Sequence, residues 1–435
     1  MINMNYLNRD LTQELEKWLG RREILAIKGP RQGGKTTILK ILQKYLIEEK
    51  NIPRAHIVYI TLEDRDIRDV FSKDPKEYIR SYLPKTPVER IYFLIDEFQY
   101  LKEGGQKLKL LYDIFEGVKF IITGSSSLEI TEHTAGYLVG RVFSFKLYQF
   151  NFSEFLCTKP QNLQNVYHES HARIIDFIEN GHEITVKEDI WARDFTRFFE
   201  EFVIFGGYPE VIKTEDIDTK RILLKNIYDT YITKDIIELL KIKDISTFRT
   251  IVNLLGNQIG NLLNYNSIAS DSGSYFRQLK QYISILEETF IIRLIKPYFR
   301  NKTTELKKNP KVYFVDTGLR NYTINNFNRM DIRADTGALV ENVVLFSLFL
   351  KEEWNIRYWR TLGQAEVDFV IEVADALIPI EVKYSHPKHP EISRSLKNFI
   401  LAYNPERALV FTKGFWGKTK VEKTHVIFVP IWYAI

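Results

Sequence analysis

Gly29-Pro30-Arg31-Gln32-Gly33-Gly34-Lys35-Thr36 matches the pattern G-x-x-x-x-G-K-[ST]. Glycines at those spacings let the backbone curl until its N–H groups point inward at phosphate oxygens. Lys35 would reach the β- and γ-phosphates. Thr36 would give a hydroxyl to Mg2+, and Thr37 carries the chain into a helix whose positive end faces the anion. The chemistry is binding of a nucleoside triphosphate, with ATP and Mg2+ as the expected cofactors. Asp96 and Glu97 follow the apolar run Ile91-Tyr92-Phe93-Leu94-Ile95, so they project from a strand end. Asp96 suits the metal and Glu97 the attacking water. Ser125, in Thr123-Gly124-Ser125-Ser126, is placed to sense the γ-phosphate. Arg141 is a candidate for stabilising charge, in cis or across a subunit interface, and also reads as an ordinary surface arginine.

A second set lies further along. Glu381 and Lys383 alternate by two within the apolar run Leu377–Tyr384, so they share one strand face. Asp368 sits on the preceding apolar strand, Glu366–Ile371. Carboxylates and a lysine on one face suit metal-assisted phosphodiester hydrolysis, the acids holding the metal and Lys383 orienting water. As a spacing this pattern is loose. Its context is two adjacent apolar strands preceded by an amphipathic helix, Gly337–Lys351, that carries Glu341. His386-Pro387-Lys388-His389 reads as a loop, because proline and basic neighbours suit a turn better than a metal site.

These residues need strands and helices to hold them. Ile24–Ile27, His56–Ile60, Ile91–Ile95 and Lys119–Thr123 are short, nearly continuous apolar runs separated by helical stretches, which predicts a parallel sheet covered on both faces. The chain from Cys157 to about Val203 reads as mixed and polar, then helical, until Gly206-Gly207-Tyr208-Pro209 breaks it. Helices are expected from Thr219 to Leu240. Between Ser246 and Tyr298 the order is helix, short helix, a recognition-type helix around Ser274–Tyr282, then a strand at Ile291–Ile295. That is a helix-turn-helix with a wing, or else a helical spacer. Tyr275 and Phe276 could stack on bases; core packing is the expected role. The last third, from about Asn309, reads as a small α/β unit. The expected divisions are 1–155, 156–240, 241–305 and 306–435.

The chain has 435 residues, 45% hydrophobic and 27% charged, which fits a folded protein of two or three domains. No run approaches the length needed to cross a membrane, and the first residues lack a secretory pattern. Cys157 is the single cysteine, which excludes an internal disulfide and a cysteine-based zinc site. A cytoplasmic location is expected. The formal charge of +5 permits nucleic acid as a partner without demanding it. Basic residues gather at Lys296–Lys311 and Lys383–Arg394, as solvated faces or as contacts.

Taken together, Gly29–Thr36, Leu94-Ile95-Asp96-Glu97, Thr123-Gly124-Ser125-Ser126, Leu138-Val139-Gly140-Arg141 and Gly206-Gly207-Tyr208-Pro209 resemble the ordered set of a family of prokaryotic AAA+-type ATPases. That resemblance covers almost the whole chain. It implies an α/β protein with a P-loop parallel-sheet domain, a helical and winged-helix middle, and a C-terminal restriction-endonuclease-like domain. The order Glu341, Asp368, Glu381-x-Lys383 is similar to the PD-(D/E)xK nuclease fold, in particular to archaeal-type Holliday junction resolvases. Glu366-Val367 stands before Asp368 where the motif's proline would be. This second resemblance implies Glu341, Asp368 and Glu381 as ligands of Mg2+ or Mn2+, and DNA, branched or duplex, as substrate. The leading expectation is an ATP-hydrolysing DNA-processing enzyme. The alternatives are an ATP-driven switch or a triggered defence component whose nuclease-like domain only binds. A homo-oligomer sharing Arg141 is compatible with either.

Overall fold

The early apolar runs become strands because each is long enough to cross a small core and is flanked by glycine or polar residues. The computed structural model describes residues 6–85, 90–124, 138–185, 189–232, 242, 244–299, 308–373 and 376–434. Contacts divide the chain into two units, residues 1–150 with 288–290, and residues 151–287 with 291–435.

In the first unit β1 (Ile24–Lys28), β2 (Ile57–Thr61), β3 (Ile91–Asp96), β4 (Val118–Gly124) and β5 (Val142–Lys146) form one parallel sheet in the order β2-β3-β4-β1-β5. Helices α1 (Asp10–Trp18), α2 (Lys35–Glu48), α3 (Arg65–Lys73), α4 (Pro75–Ser81) and α5 (Gly104–Ile114) accompany it. Alternation along each strand feeds two cores. Ile24, Ala26, Phe93 and Ile95 pack with Phe71, Leu108 and Leu111 on one face. Leu25, Ile27, Leu94 and Ile121 pack with Ile38, Leu39, Leu42 and Leu46 of α2 on the other. With both faces covered, the carboxyl ends of β1, β3 and β4 form the open edge where ligands of parallel sheets bind.

The second unit begins with α6 (Phe152–Leu156), α7 (Gln161–Asn180), α8 (Ala192–Phe205), α9 (Pro209–Lys213) and α10 (Ile217–Tyr228). The stretch read as mixed and polar is thus largely α7, a helix of 20 residues whose Leu163, Tyr167, Ile174, Phe177 and Ile178 form a buried stripe among polar residues. The expected helix from Thr219 to Leu240 is seen as α10; residues 233–240 lie outside the described residues. Next come α11 (Ile245–Asn257), α12 (Tyr265–Ser272), α13 (Phe276–Glu288) and the antiparallel hairpin of β6 (Ile292–Ile295) with β7 (Lys311–Phe314). Residues 260–263 lie along β7, with Gly260 N–H donating to the Val312 carbonyl and Leu263 N–H to that of Pro310.

Helices α14 (Thr317–Thr323) and α15 (Thr336–Phe349) lead to a mixed sheet of six strands. These are β8 (Asn355–Arg360), β9 (Glu366–Val373), β10 (Ala376–Lys383), β11 (Arg407–Thr412), β12 (Gly417–Val421) and β13 (Thr424–Pro430), in the order β12-β13-β11-β10-β9-β8. Helix α16 (Arg394–Tyr403) covers one face through Leu396, Phe399 and Ile400, and α17 (Ile431–Ala434) ends the described chain. The His386–His389 stretch is a loop.

A buried polar seam organises this unit. Gly206 ends α8 with φ of +74°, and the Asp316 carboxylate accepts from Gly207 N–H and Leu319 N–H, both at 2.7 Å. A Cβ on Gly206 would lie 2.4 Å from Asp316 Oδ1, and one on Gly318 2.0 Å from the Phe205 carbonyl oxygen. Asn321 donates to the Ile204 carbonyl at 2.8 Å, and Arg320 donates to the Gly256 carbonyl at 2.7 Å and pairs with Asp335 at 2.5 Å. Desolvation pushes the Asp316 carboxyl up to about 6, against the pull of its backbone donors.

Candidate functional sites

The loop Gly29–Gly34 leaves β1 and enters α2 through a turn closed by Gly33 N–H donating to the Pro30 carbonyl. Gln32 and Gly34 take positive φ, 57° and 101°. Gly29 is required for another reason: a Cβ there would lie 2.1 Å from the Leu147 carbonyl oxygen. Lys35 is buried, its ammonium donating to the Gly29 and Pro30 carbonyls at 3.1 and 2.9 Å. Thr36 and Thr37 stand in the first turn of α2, and Arg31 pairs with Glu63 at 3.7 Å.

Asp96, at the end of β3, is 2% exposed and fully engaged. Its Oδ2 accepts from the Thr36 hydroxyl at 2.6 Å and the Tyr59 hydroxyl at 3.0 Å, and its Oδ1 accepts from the Thr123 hydroxyl and from Glu97 N–H. Glu97 itself has φ of 54°, a left-handed conformation uncommon for a side-chain-bearing residue. Gln99 donates to Glu97 Oε2 and steadies the carboxylate. The donor set fits Mg2+, which takes one carboxylate and a hydroxyl from the protein and its remaining oxygens from phosphate and water. Thr36 and Asp96 are the residues that would hold it.

Two expected residues do not join this cluster in the same way. Ser125 lies outside the described residues. Arg141 immediately precedes β5, level with Ile24 at the amino end of β1, while the P-loop leaves its carboxyl end. Its guanidinium donates to Asp113 at 3.1 Å. A cis role at the phosphates of its own P-loop is therefore corrected by the strand direction. Arg9 went unread in the sequence. It is buried, donates to the Gly33 carbonyl at 2.9 Å and the Tyr148 carbonyl at 2.6 Å, and stacks on Phe150, so it braces the loop from behind.

In the C-terminal sheet β9 and β10 are antiparallel, with Ile380 opposite Phe369, so Glu381 follows opposite Asp368. Val382 N–H donates to Asp368 Oδ2 at 2.7 Å, and Lys383 sits 3.4 Å from Glu381 Oε1. Glu341, from α15, accepts instead from Lys311 at 3.1 Å and from the Tyr313 hydroxyl. Lys311 also meets Glu366 at 2.6 Å, and Arg360 reaches the other Glu366 oxygen at 3.0 Å. Burial alone would depress the Lys311 ammonium, but the charges of Glu341, Glu366 and Asp368 more than offset it and hold it above the ordinary lysine range. Burial, followed by the Glu341 charge, pushes Asp368 well above the usual carboxylate range.

The expected ligands Glu341, Asp368 and Glu381 come from α15, β9 and β10, but they do not form a ready-made metal cluster. Among the described residues no three His, Cys, Asp or Glu side chains converge closely enough to hold a metal ion. Lys311 stands among these acids and takes a Glu341 oxygen that a cation would need. Glu381 Oε2 is buried without a partner among the described residues. The lysine was hidden in the sequence because it belongs to a basic stretch that reads as solvated surface.

Comparison with known proteins follows the same division. Residues 21–156 match the family model described as an AAA domain. Residues 196–330 and 336–433 match two models described as domains of unknown function (DUF8612 and DUF4143). An uncharacterized protein of Haemophilus influenzae is 26% identical over 434 residues, covering 98% of this chain and 97% of its own length. One from Methanocaldococcus jannaschii is 24% identical over 447 residues, covering 97% and 90%. Among solved structures, a Walker-type ATPase of Pyrococcus abyssi aligns over 74% of this chain and 97% of its own, at 12% identity and a TM-score of 0.44. AMPPCP-bound DnaA from Aquifex aeolicus aligns over 64% and 86%, at 13% identity and a TM-score of 0.28. No helix among the described residues is long and apolar enough to cross a membrane. With its loop, its acidic strand end and its match to the AAA model, the segment from residue 21 to residue 156 is an AAA-type P-loop ATPase domain.

Proposed function

We propose that this chain hydrolyses ATP and uses the cycle to change its grip on DNA in the cytoplasm. The observation that carries the ATPase half is the Thr36 hydroxyl bonded to Asp96 at 2.6 Å, beside Lys35 on the loop. Bound Mg2+ supplies charge neutralisation at the phosphate oxygens. Lys35 adds a second positive charge, the loop N–H groups orient the phosphates, and Glu97 takes a proton from the attacking water. Ser125 is assigned to sensing the γ-phosphate. Arg141 is assigned to a neighbouring copy's nucleotide in a homo-oligomer, the arrangement its place at the amino end of β5 leaves open.

Support for DNA comes from α11 to β7. Their order of helix, extended segment, two helices and a hairpin is the one expected of a winged helix. Helix α13 begins beside Tyr275, 82% exposed, with Phe276 47% exposed. Both face solvent, against the expectation of core packing. Arg277 and Lys280 are exposed on the same helix, and the Lys280 ammonium lies 4.7 Å from the Phe276 ring centroid. Exposed aromatics interleaved with cations are the kind of surface that stacks on bases and holds phosphates.

A metal-dependent nuclease is the second reading. The cross-strand Asp368–Glu381 pair with Lys383 favours it, and Lys311 opposes it. Phosphate release by wild type, Lys35→Ala and Glu97→Gln, with and without duplex or four-way junction DNA, tests the leading reading. Release that both substitutions abolish and that DNA alters supports it. Wild type that binds nucleotide and DNA but releases no phosphate with either would sink it. Cutting of the DNA in the same tubes would favour the second.

A further inference from the structure

We propose that Lys311 is the resident cation of the C-terminal carboxylate cluster, so that this cluster takes up no divalent metal. Three cations, Lys311, Arg360 and Lys383, face Glu341, Glu366 and Glu381 at distances from 2.6 to 3.4 Å, with Asp368 beside Glu381 as the fourth carboxylate. Three of the four charges that would attract a dication are already met.

Lys311 is also unlike a surface lysine that could swing aside. It is 1% exposed. Its backbone pairs with Ile295 of β6 on one side and bridges to Leu262 on the other, so the strand is held at both edges. Its ammonium contacts two acids from two different elements, Glu341 on α15 and Glu366 on β9. Tyr313 follows two residues later on the same strand face and donates to the same Glu341 oxygen as Lys311. A strand face built as lysine then tyrosine therefore turns Glu341 towards β7. Asp368 spends Oδ2 on Val382 N–H, and Glu381 spends Oε1 on Lys383. A dication entering here would meet a fixed ammonium a few ångströms away and would have to displace it from both acids.

The cluster is then an ion-paired joint between β7, α15 and β9, and metal-dependent cutting is not its chemistry. This inference stands apart from the ATPase reading, because its readout is metal uptake and needs neither ATP nor phosphate release.

The test is Mn2+ titration of the full chain without nucleotide, followed by electron paramagnetic resonance. An Asp96→Asn background silences the P-loop metal position. The expected result is no uptake by that chain across the millimolar range. Adding Lys311→Met should create a Mn2+ site that Asp368→Asn removes again, while Lys311→Arg should remain metal-free. Uptake by the Lys311-containing chain, lost on Asp368→Asn or Glu381→Gln, would overturn the proposal, and it needs no Lys311 variant to fold. A folded Lys311→Met chain that still takes up no Mn2+ would refute the assignment of the block to Lys311.

Discussion

Gly206→Ala should cost the second unit several kcal/mol although it touches neither candidate site. Gly206 has φ of +74° and ψ of −166°, a region that side-chain-bearing residues rarely occupy, at a penalty of about 1–3 kcal/mol. The added Cβ would also lie 2.4 Å from Asp316 Oδ1, so the carboxylate must move. Moving it breaks the bonds from Gly207 N–H and Leu319 N–H, both 2.7 Å and buried. Buried hydrogen bonds to a charged group are worth about 1.5–3 kcal/mol each. The total is about 4–9 kcal/mol, against about 5–15 kcal/mol of stability for a typical domain. For a unit of this size that lowers the melting temperature by about 10 °C or more, or prevents folding. Calorimetry reads the shift, with Gly337→Ala as the control. Gly337 lies in α15 with nothing within 4 Å of an added Cβ, so its substitution should be neutral or slightly stabilising. A Gly206→Ala melting temperature within about 2 °C of wild type would refute both the seam and the magnitude assigned to it.

Other outcomes follow from the two units. Glu97→Gln should lower ATP turnover by about 100- to 10,000-fold while leaving nucleotide affinity nearly unchanged, as read by phosphate release and a fluorescent ATP analogue. Arg9→Ala should weaken ATP binding, because the Gly33 carbonyl loses the donor that braces the loop; titration calorimetry measures it. Lys119, on β4, is fully buried, and its ammonium is pulled down to about 7 by desolvation and then by the Arg90 charge, against Glu23. Below pH 7 folded and unfolded chains both carry that proton and the burial cost stands in full; from pH 7 to about 10.4 only the unfolded chain keeps it, so stability rises with pH. Denaturation midpoints of wild type relative to Lys119→Met should therefore climb between pH 7 and 10, and a flat difference would refute the shift. Replacing both Tyr275 and Phe276 by alanine should weaken DNA binding about tenfold or more in fluorescence anisotropy, from about 1–3 kcal/mol per stacked base.

The ATP site was legible because its chemistry is local. Glycines, a lysine and a threonine lie within eight residues, and Asp96-Glu97 follows a run of five apolar residues that can only be a buried strand. Its supports were not legible. Arg9 stands 20 residues before the loop in a polar stretch and acquires its role only when β5 brings Tyr148 alongside. Strand β5 was passed over because Val142-Phe143-Ser144-Phe145-Lys146 alternates instead of running continuously apolar. Tyr275 and Phe276 misled through spacing: Phe276 is three residues before the buried Leu279, but the core ends a turn short of it. In the C-terminal sheet, the carboxylates could be placed on their strands from periodicity. What faced them could not, because Lys311 comes from another hairpin 30 residues before Glu341.

The strand carrying Lys311 belongs to two neighbourhoods at once, hydrogen-bonded to β6 and ion-paired to α15 and β9. The boundary between the two C-terminal family matches, residues 331–335, runs downstream of that strand and through the Arg320–Arg333–Asp335 cluster. A shuffling event at that boundary would bring in acids without their lysine, or a lysine without its acids. The middle and the C-terminal sheet are thus expected to be inherited together, and with them α8, whose carboxyl end is bonded to Asp316 and Asn321.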